Sequence, residues 1–131
     1  MTSPALTNSS QASLFDRVGG VEFFTKLVED FYSQVELAPV LRVMYPEDLT
    51  EAKAHLALFL VQYFGGPADY QALRGHPRLR MRHSPYVIDV VARDAWIAAM
   101  LHGVGLSTAG PTERAELIHY FDSSAHSLQN V

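Results

Sequence analysis

The chain has 131 residues, 48% hydrophobic and 18% charged, a balance typical of one globular domain with room for a single core. Ten Lys and Arg against fourteen Asp and Glu leave a net charge of -4, which argues against a nucleic-acid partner, because that backbone is bound through clustered cations. There is no cysteine, so disulfides and thiolate metal sites are excluded, and any metal is held by His, carboxylate, Tyr or Met or arrives inside a cofactor.

In chain order, residues 1–13 are polar and rich in small side chains, with no basic start and no apolar run. This stretch reads as a flexible arm rather than a secretory or transit segment, and the folded domain is expected over residues 14–131. Nothing approaches the ~20 apolar residues of a membrane span, so a cytoplasmic protein is expected. Gly19-Gly20, Pro46, Gly65-Gly66-Pro67, Pro77, Pro85 and Gly110-Pro111 punctuate the chain. Between them the apolar residues recur at three- and four-residue steps. Phe24, Leu27, Val28, Phe31 and Val35 predict a helix over 21–35. Leu49, Ala52, Leu56, Phe59, Leu60 and Tyr63 predict another over 49–63, opened by a capping box of Asp48 and Glu51. Two more are predicted over 86–102 and 112–128. No stretch of five residues alternates with period two, so the fold class is all-α.

Six histidines compete for chemical roles. His83 closes the run from Arg74 to His83, directly before Ser84-Pro85, where proline disfavours helix at the preceding residue. Four of the eight arginines fall within nine residues of this run. Three readings are open: a solvated face, a nucleic-acid patch, or a pocket for an anionic cofactor whose carboxylates pair with Arg. The second is disfavoured by the absence of aromatic residues in the run. In the helix from Tyr86, Asp89 and Arg93 share a stripe that Trp96 and Met100 continue, so the one Trp either goes deeper into the core or lines a pocket and offers its indole N–H there. Tyr32 and Tyr45 sit among apolar neighbours, and a buried phenol needs a partner. His55 lies off the apolar stripe of its helix and is expected to be exposed. His119, Asp122 and His126 lie at i, i+3 and i+7 and could seat a bare metal ion, although no second helix offers a matching set.

The collinear segments Phe31-Tyr32, 43–48 (Val-Met-Tyr-Pro-Glu-Asp), 62–67 (Gln-Tyr-Phe-Gly-Gly-Pro), 74–83 and 93–96 (Arg-Asp-Ala-Trp) closely resemble the truncated haemoglobins, in their second group and of the actinobacterial type. The resemblance runs from about Leu14 to the C-terminus. It implies a two-over-two helical sandwich around haem b, with His83 as the iron ligand and Arg80 and Arg82 beside the propionates. Tyr32, Tyr45 and Trp96 match the distal polar positions. Ala52 falls where many globins carry a distal histidine, and Leu56 and Leu60 match the apolar distal wall. Two departures are visible: Phe64 replaces a Trp of close relatives, and the N-terminal arm is longer.

Function follows from those matches as an expectation. Oxygen and other diatomic gases such as CO and NO are the expected ligands. Two phenols and an indole in a dry pocket stabilise a ligand that takes up negative charge, because the local dielectric is low. Each such hydrogen bond is worth about 1.5–3 kcal/mol, which makes oxygen release slow and favours chemistry on oxygen, nitric oxide or peroxide over bulk transport. The sequence has no Gly-rich dinucleotide motif, so turnover implies an external reductase or other electron donor. Storage or sensing of a gas without turnover is the alternative, and a bare-metal helical bundle the third reading.

Overall fold

The computed structural model describes residues 12–75, 83 and 87–131, and every structural statement below refers to them. Most of the predicted N-terminal arm, Arg80 and Arg82 lie outside the described residues. The remaining chain forms α1 (Leu14–Val18), α2 (Val21–Val35), α3 (Pro39–Arg42), α4 (Thr50–Tyr63), α5 (Asp69–Arg74), α6 (Val90–Leu106) and α7 (Pro111–Leu128). No strand occurs among the described residues, and the fold is all-α.

Ser13 starts α1 by accepting a hydrogen bond from the Asp16 backbone N–H through its side chain. Gly19, at φ 104°, ends that helix in the left-handed region, which a side chain makes costly. The predicted helix over 21–35 is found with those bounds. Its buried face comprises Phe23, Phe24, Leu27, Val28, Phe31, Tyr32 and Val35, the spacing of an amphipathic helix.

Predicted boundaries move at three helices: α6 spans Val90–Leu106 rather than 86–102, α4 starts at Thr50 rather than 49, and α7 at Pro111 rather than 112. α6 starts at Val90 rather than at Tyr86: Val87 and Ile88 are not helical, and Asp89 accepts from the Ala92 N–H as N-cap. The cap residue wins over apolar periodicity here because its carboxylate satisfies an otherwise orphaned donor. Asp89 therefore makes no side-chain stripe with Arg93, whose guanidinium instead donates to Gln129 and Asp94. At α4 the predicted capping box is replaced by a turn in which the Asp48 carboxylate accepts from the Thr50 N–H at 2.9 Å, one residue ahead of the cap position Leu49. That bond holds the Asp48 pKa below the ordinary carboxylate value.

α2 is the central helix, packed on α4 to one side and α6 to the other, while α6 carries α7. α2 with α4 and α6 with α7 are two of the main helix pairs, joined through the contact of α2 with α6. The core between them contains Phe24, Phe31, Leu27, Met100, Val104, Leu117 and Phe121, each at most 1% exposed. α4 is less enclosed than its apolar stripe predicts. Ala52 and Leu56 are only half-buried and Tyr63 is 54% exposed. The open side of α4 faces a cavity instead of another helix.

Candidate functional site

α4, the α3–α4 connection and the end of α5 border an open cavity of about 580 Å³. Its apolar wall is built from Ala52, Leu56 and Phe59 of α4, with Met44 and Pro46 from the connection. Tyr32 reaches it from α2, and Tyr70 and Arg74 from α5. His83 faces it as well, in helical conformation and half-buried. A narrower recess of about 70 Å³ adjoins it. Met44, Tyr45 and His83 line both spaces, and Trp96, Ile88 and Ala92 line the recess.

Tyr32 and Tyr45 face each other edge to face, with ring centroids 5.4 Å apart. Tyr32 is 3% exposed. Burial raises its pKa well above the phenol value, and the charge and hydrogen bond of the Tyr45 phenol add to the effect. Tyr32 therefore keeps its proton throughout the physiological range. Phe31 connects this pair to Trp96: its ring lies 4.9 Å from Tyr32 and 5.6 Å from Trp96, centroid to centroid.

Ile88 and Arg93 are tied to the far end of the chain. Ile88 N–H donates to the Asn130 side-chain oxygen at 2.8 Å, and the Asn130 N–H donates back to the Ile88 carbonyl at 2.9 Å. Arg93 donates to the Gln129 side-chain oxygen at 2.7 Å. The last residues thus clasp Ile88 and the first turn of α6. Hydropathy periodicity gives no signal for this clasp, since it is made by backbone and polar side-chain hydrogen bonds between positions distant in sequence.

The bacterial-like globin family model matches residues 13–130. This chain belongs to that family. Among curated proteins it is similar to group 2 truncated hemoglobin YjbI of Bacillus subtilis, 43% identical over 81 residues, which are 62% of this chain and 61% of that protein. The match thus spans less than two thirds of that relative's length. Two solved structures agree over nearly the whole fold. The hemoglobin of the thermophilic phototroph Chloroflexus aurantiacus gives a TM-score of 0.90 at 41% identity, covering 92% of this chain and 99% of that one. The thermostable hemoglobin of the actinobacterium Thermobifida fusca gives 0.89 at 44% identity, covering 92% and 98%.

Group II truncated haemoglobins are therefore the frame for this fold, and haem-based binding of small gases is the function that membership carries. The residues present fit such a cofactor. The cavity is apolar along α4, has two imidazoles, His55 and His83, on its lining, and carries Arg74 and Glu51 as its charged groups. A flat apolar ring with charged edges suits that division.

Of the residues singled out from sequence, Tyr32, Tyr45, Ala52, Leu56 and His83 line the large cavity, and Trp96 lines the recess beside Tyr45 and His83. Leu60 does not reach the wall. It is 1% exposed in the core, and Phe59 lines the cavity in its place. At roughly 100° per residue, position 59 lies about 20° from Ala52 around the helix and position 60 about 80°. His55, expected to be exposed, is half-buried on the cavity wall. It follows Ala52 by three residues, which is the signal that could have found it. His119, Asp122 and His126 run along an outward face of α7, and among the described residues no three His, Asp or Glu side chains converge to hold a metal ion. His126 Nδ1 instead lies 2.8 Å from the Asp122 carbonyl oxygen. No helix among the described residues is long and apolar enough to cross a membrane.

Proposed function

We propose that the cavity holds haem b through His83, and that the protein binds oxygen and other diatomic gases there. The observation that carries this reading is the position of His83, which faces both the large cavity and the recess while Tyr45 lines both from the α3–α4 connection. A haem bound here supplies an iron that takes a diatomic ligand and exchanges single electrons. Neutral imidazole is the form of His83 suited to ligation.

The chain's own residues then set the fate of the ligand. Tyr45, hydrogen-bonded with Tyr32, and the indole N–H of Trp96 are the donors available to a gas that gains negative charge. Ala52 offers no donor, so the two phenols and the indole replace one. Leu56, Phe59 and Met44 give the cavity an apolar wall, and a less polar surround strengthens such bonds. Arg80 and Arg82 are assigned to the propionates on sequence grounds, by their carboxylate-pairing chemistry. The same pocket suits redox chemistry on nitric oxide or peroxide, with electrons from an external donor.

The test is an absorption spectrum of the purified protein, reduced and then exposed to air and to carbon monoxide. A Soret band that shifts with each gas is expected. His83→Ala is expected to lose haem on gel filtration while retaining helical circular dichroism. A His83→Ala protein that retains haem as firmly as the parent removes His83 as the ligand, and a chain that stays colourless after haem is added removes the whole reading.

A further inference from the structure

Away from the gas cavity, Tyr63 at the end of α4 and Tyr120 in α7 form the shortest ring pair among the described residues, with centroids 4.1 Å apart and planes inclined by 31°. Tyr63 is 54% exposed although it continues the apolar stripe of α4. Neither phenol lines the cavity or its recess. Both nevertheless connect to it through rings. Tyr63 lies 6.1 Å from Phe59, which forms part of the cavity wall. Tyr120 lies 5.5 Å from Phe121, and Phe121 5.9 Å from Trp96 at the recess. Two aromatic chains leave the cavity, and they converge on this one tyrosine pair.

We propose that Tyr63 and Tyr120 are an oxidative cross-linking site, at which a peroxide reduced in the haem cavity is balanced by coupling the two rings. The inference rests on the reading that the cavity holds haem. Electron transfer falls off exponentially with distance, so rings in near contact shorten each step, and Trp and Tyr are the side chains most easily oxidised by one electron. Hydrogen peroxide takes two electrons and two protons and becomes two waters as its O–O bond breaks. Tyr63 and Tyr120 each give up one electron and one phenolic proton. The two phenoxyl radicals join through a new carbon–carbon bond between ring positions ortho to the oxygens, and the ring hydrogens shift to restore both phenols. The sum is one peroxide and two tyrosines giving one dityrosine and two waters. The product joins α4 to α7 covalently and disposes of both oxidising equivalents away from Tyr32 and Tyr45. The latter pair is placed less well for coupling, because its centroids are 5.4 Å apart and the rings stand at 83°.

The experiment treats the haem-loaded protein, identified beforehand by its Soret band, with hydrogen peroxide. A parallel sample is photo-oxidised with ruthenium tris-bipyridine and persulfate, which oxidises tyrosines without using the cavity. Dityrosine fluorescence, loss of two hydrogen atoms in the intact mass and a cross-linked peptide containing Tyr63 and Tyr120 are expected in both samples. Tyr63→Phe and Tyr120→Phe are each expected to abolish the cross-link while the carbon monoxide spectrum and thermal midpoint stay unchanged. Cross-linking by light but not by peroxide overturns the route from the cavity. A failure of both samples, or a cross-link mapped to Tyr32 and Tyr45, overturns the assignment of the pair. A preparation with no Soret band takes down the haem reading itself, and the peroxide route with it.

Discussion

Tyr32 shows how burial of one phenol creates both a stability term and a functional one. Its folded-state pKa lies above the ordinary value because burial disfavours the phenolate, with Tyr45 reinforcing the shift. In the unfolded chain a tyrosine ionises near pH ~10. The folded state therefore holds a proton that the unfolded state releases, and the stabilisation is present below that pH and is lost as pH rises above it. Stability to denaturant is expected to fall by about 1.4 kcal/mol per pH unit per such group in that range. Tyr120 is displaced in the same direction, chiefly by burial, with a Ser124 hydrogen bond opposing. Tyr32→Phe should make the alkaline decline shallower, and urea titrations across the alkaline range measure it; an equal slope in the variant removes Tyr32 as a cause. In the proposed gas pocket, Tyr32→Phe and Trp96→Phe are each expected to speed oxygen dissociation by about tenfold, the worth of one charge-assisted hydrogen bond. Stopped-flow displacement of oxygen by carbon monoxide reads this rate. An unchanged rate in both variants would remove the donor network and leave the fold untouched.

Among the elements, residues 87–89 show how the chain leading into α6 is held by partners far along the sequence. Asp89 ends this stretch as the cap of α6, and residues 87–89 are not helical. Its backbone is paired instead with Asn130, and Arg93 is anchored on Gln129. Asn130→Ala removes one of these bonds and leaves the buried Ile88 N–H without its acceptor, a cost of about 1–3 kcal/mol. The variant is expected to release haem to apomyoglobin faster than the parent, with the helix content of α7 unchanged. Equal release rates would show that the clasp does not restrain His83. At α4 the same physics runs in reverse. The side of α4 that faces the cavity, at Ala52 and Leu56, is half-buried, and the register of the helix decides which residues line that cavity.

For the whole molecule, the decisive contact is the crossing of α2 and α6. Gly103 permits it: a Cβ there would lie 3.0 Å from Leu27 Cδ1 and 3.3 Å from the Leu27 carbonyl oxygen. The second neighbour is backbone and cannot rotate away. Gly103→Ala is therefore expected to destabilise the fold by about 1–3 kcal/mol through overpacking, even though Ala is the better helix former by about 1 kcal/mol. Denaturant midpoints decide between the two effects, and a stabilised variant would show that the crossing has slack. A second long-range tie joins α1 to α7, where Arg17 pairs with Glu113 at 2.7 Å and Glu116 at 3.0 Å. These groups are partly exposed, and their contribution is correspondingly small.

The sequence by itself determined what depends on local chemistry. The 3.6-residue period located α2 to the residue, Gly19 and Gly65 marked turns at positive φ, and the collinear Tyr, His and Trp motifs pointed to the globin family. It also brought Tyr32, Tyr45 and His83 forward as pocket residues without their spacing being known. Only the tertiary structure decided which side of α4 lines the cavity, exchanging Leu60 for Phe59 and drawing His55 into the wall. Tertiary structure also separated Trp96, in the recess, from Tyr32, in the main cavity, with Tyr45 common to both. The start of α6 and the Asn130 clasp were likewise hidden. Periodicity reports the apolar face of one element at a time, whereas a cavity and a clasp are made by surfaces that meet only after every helix has packed.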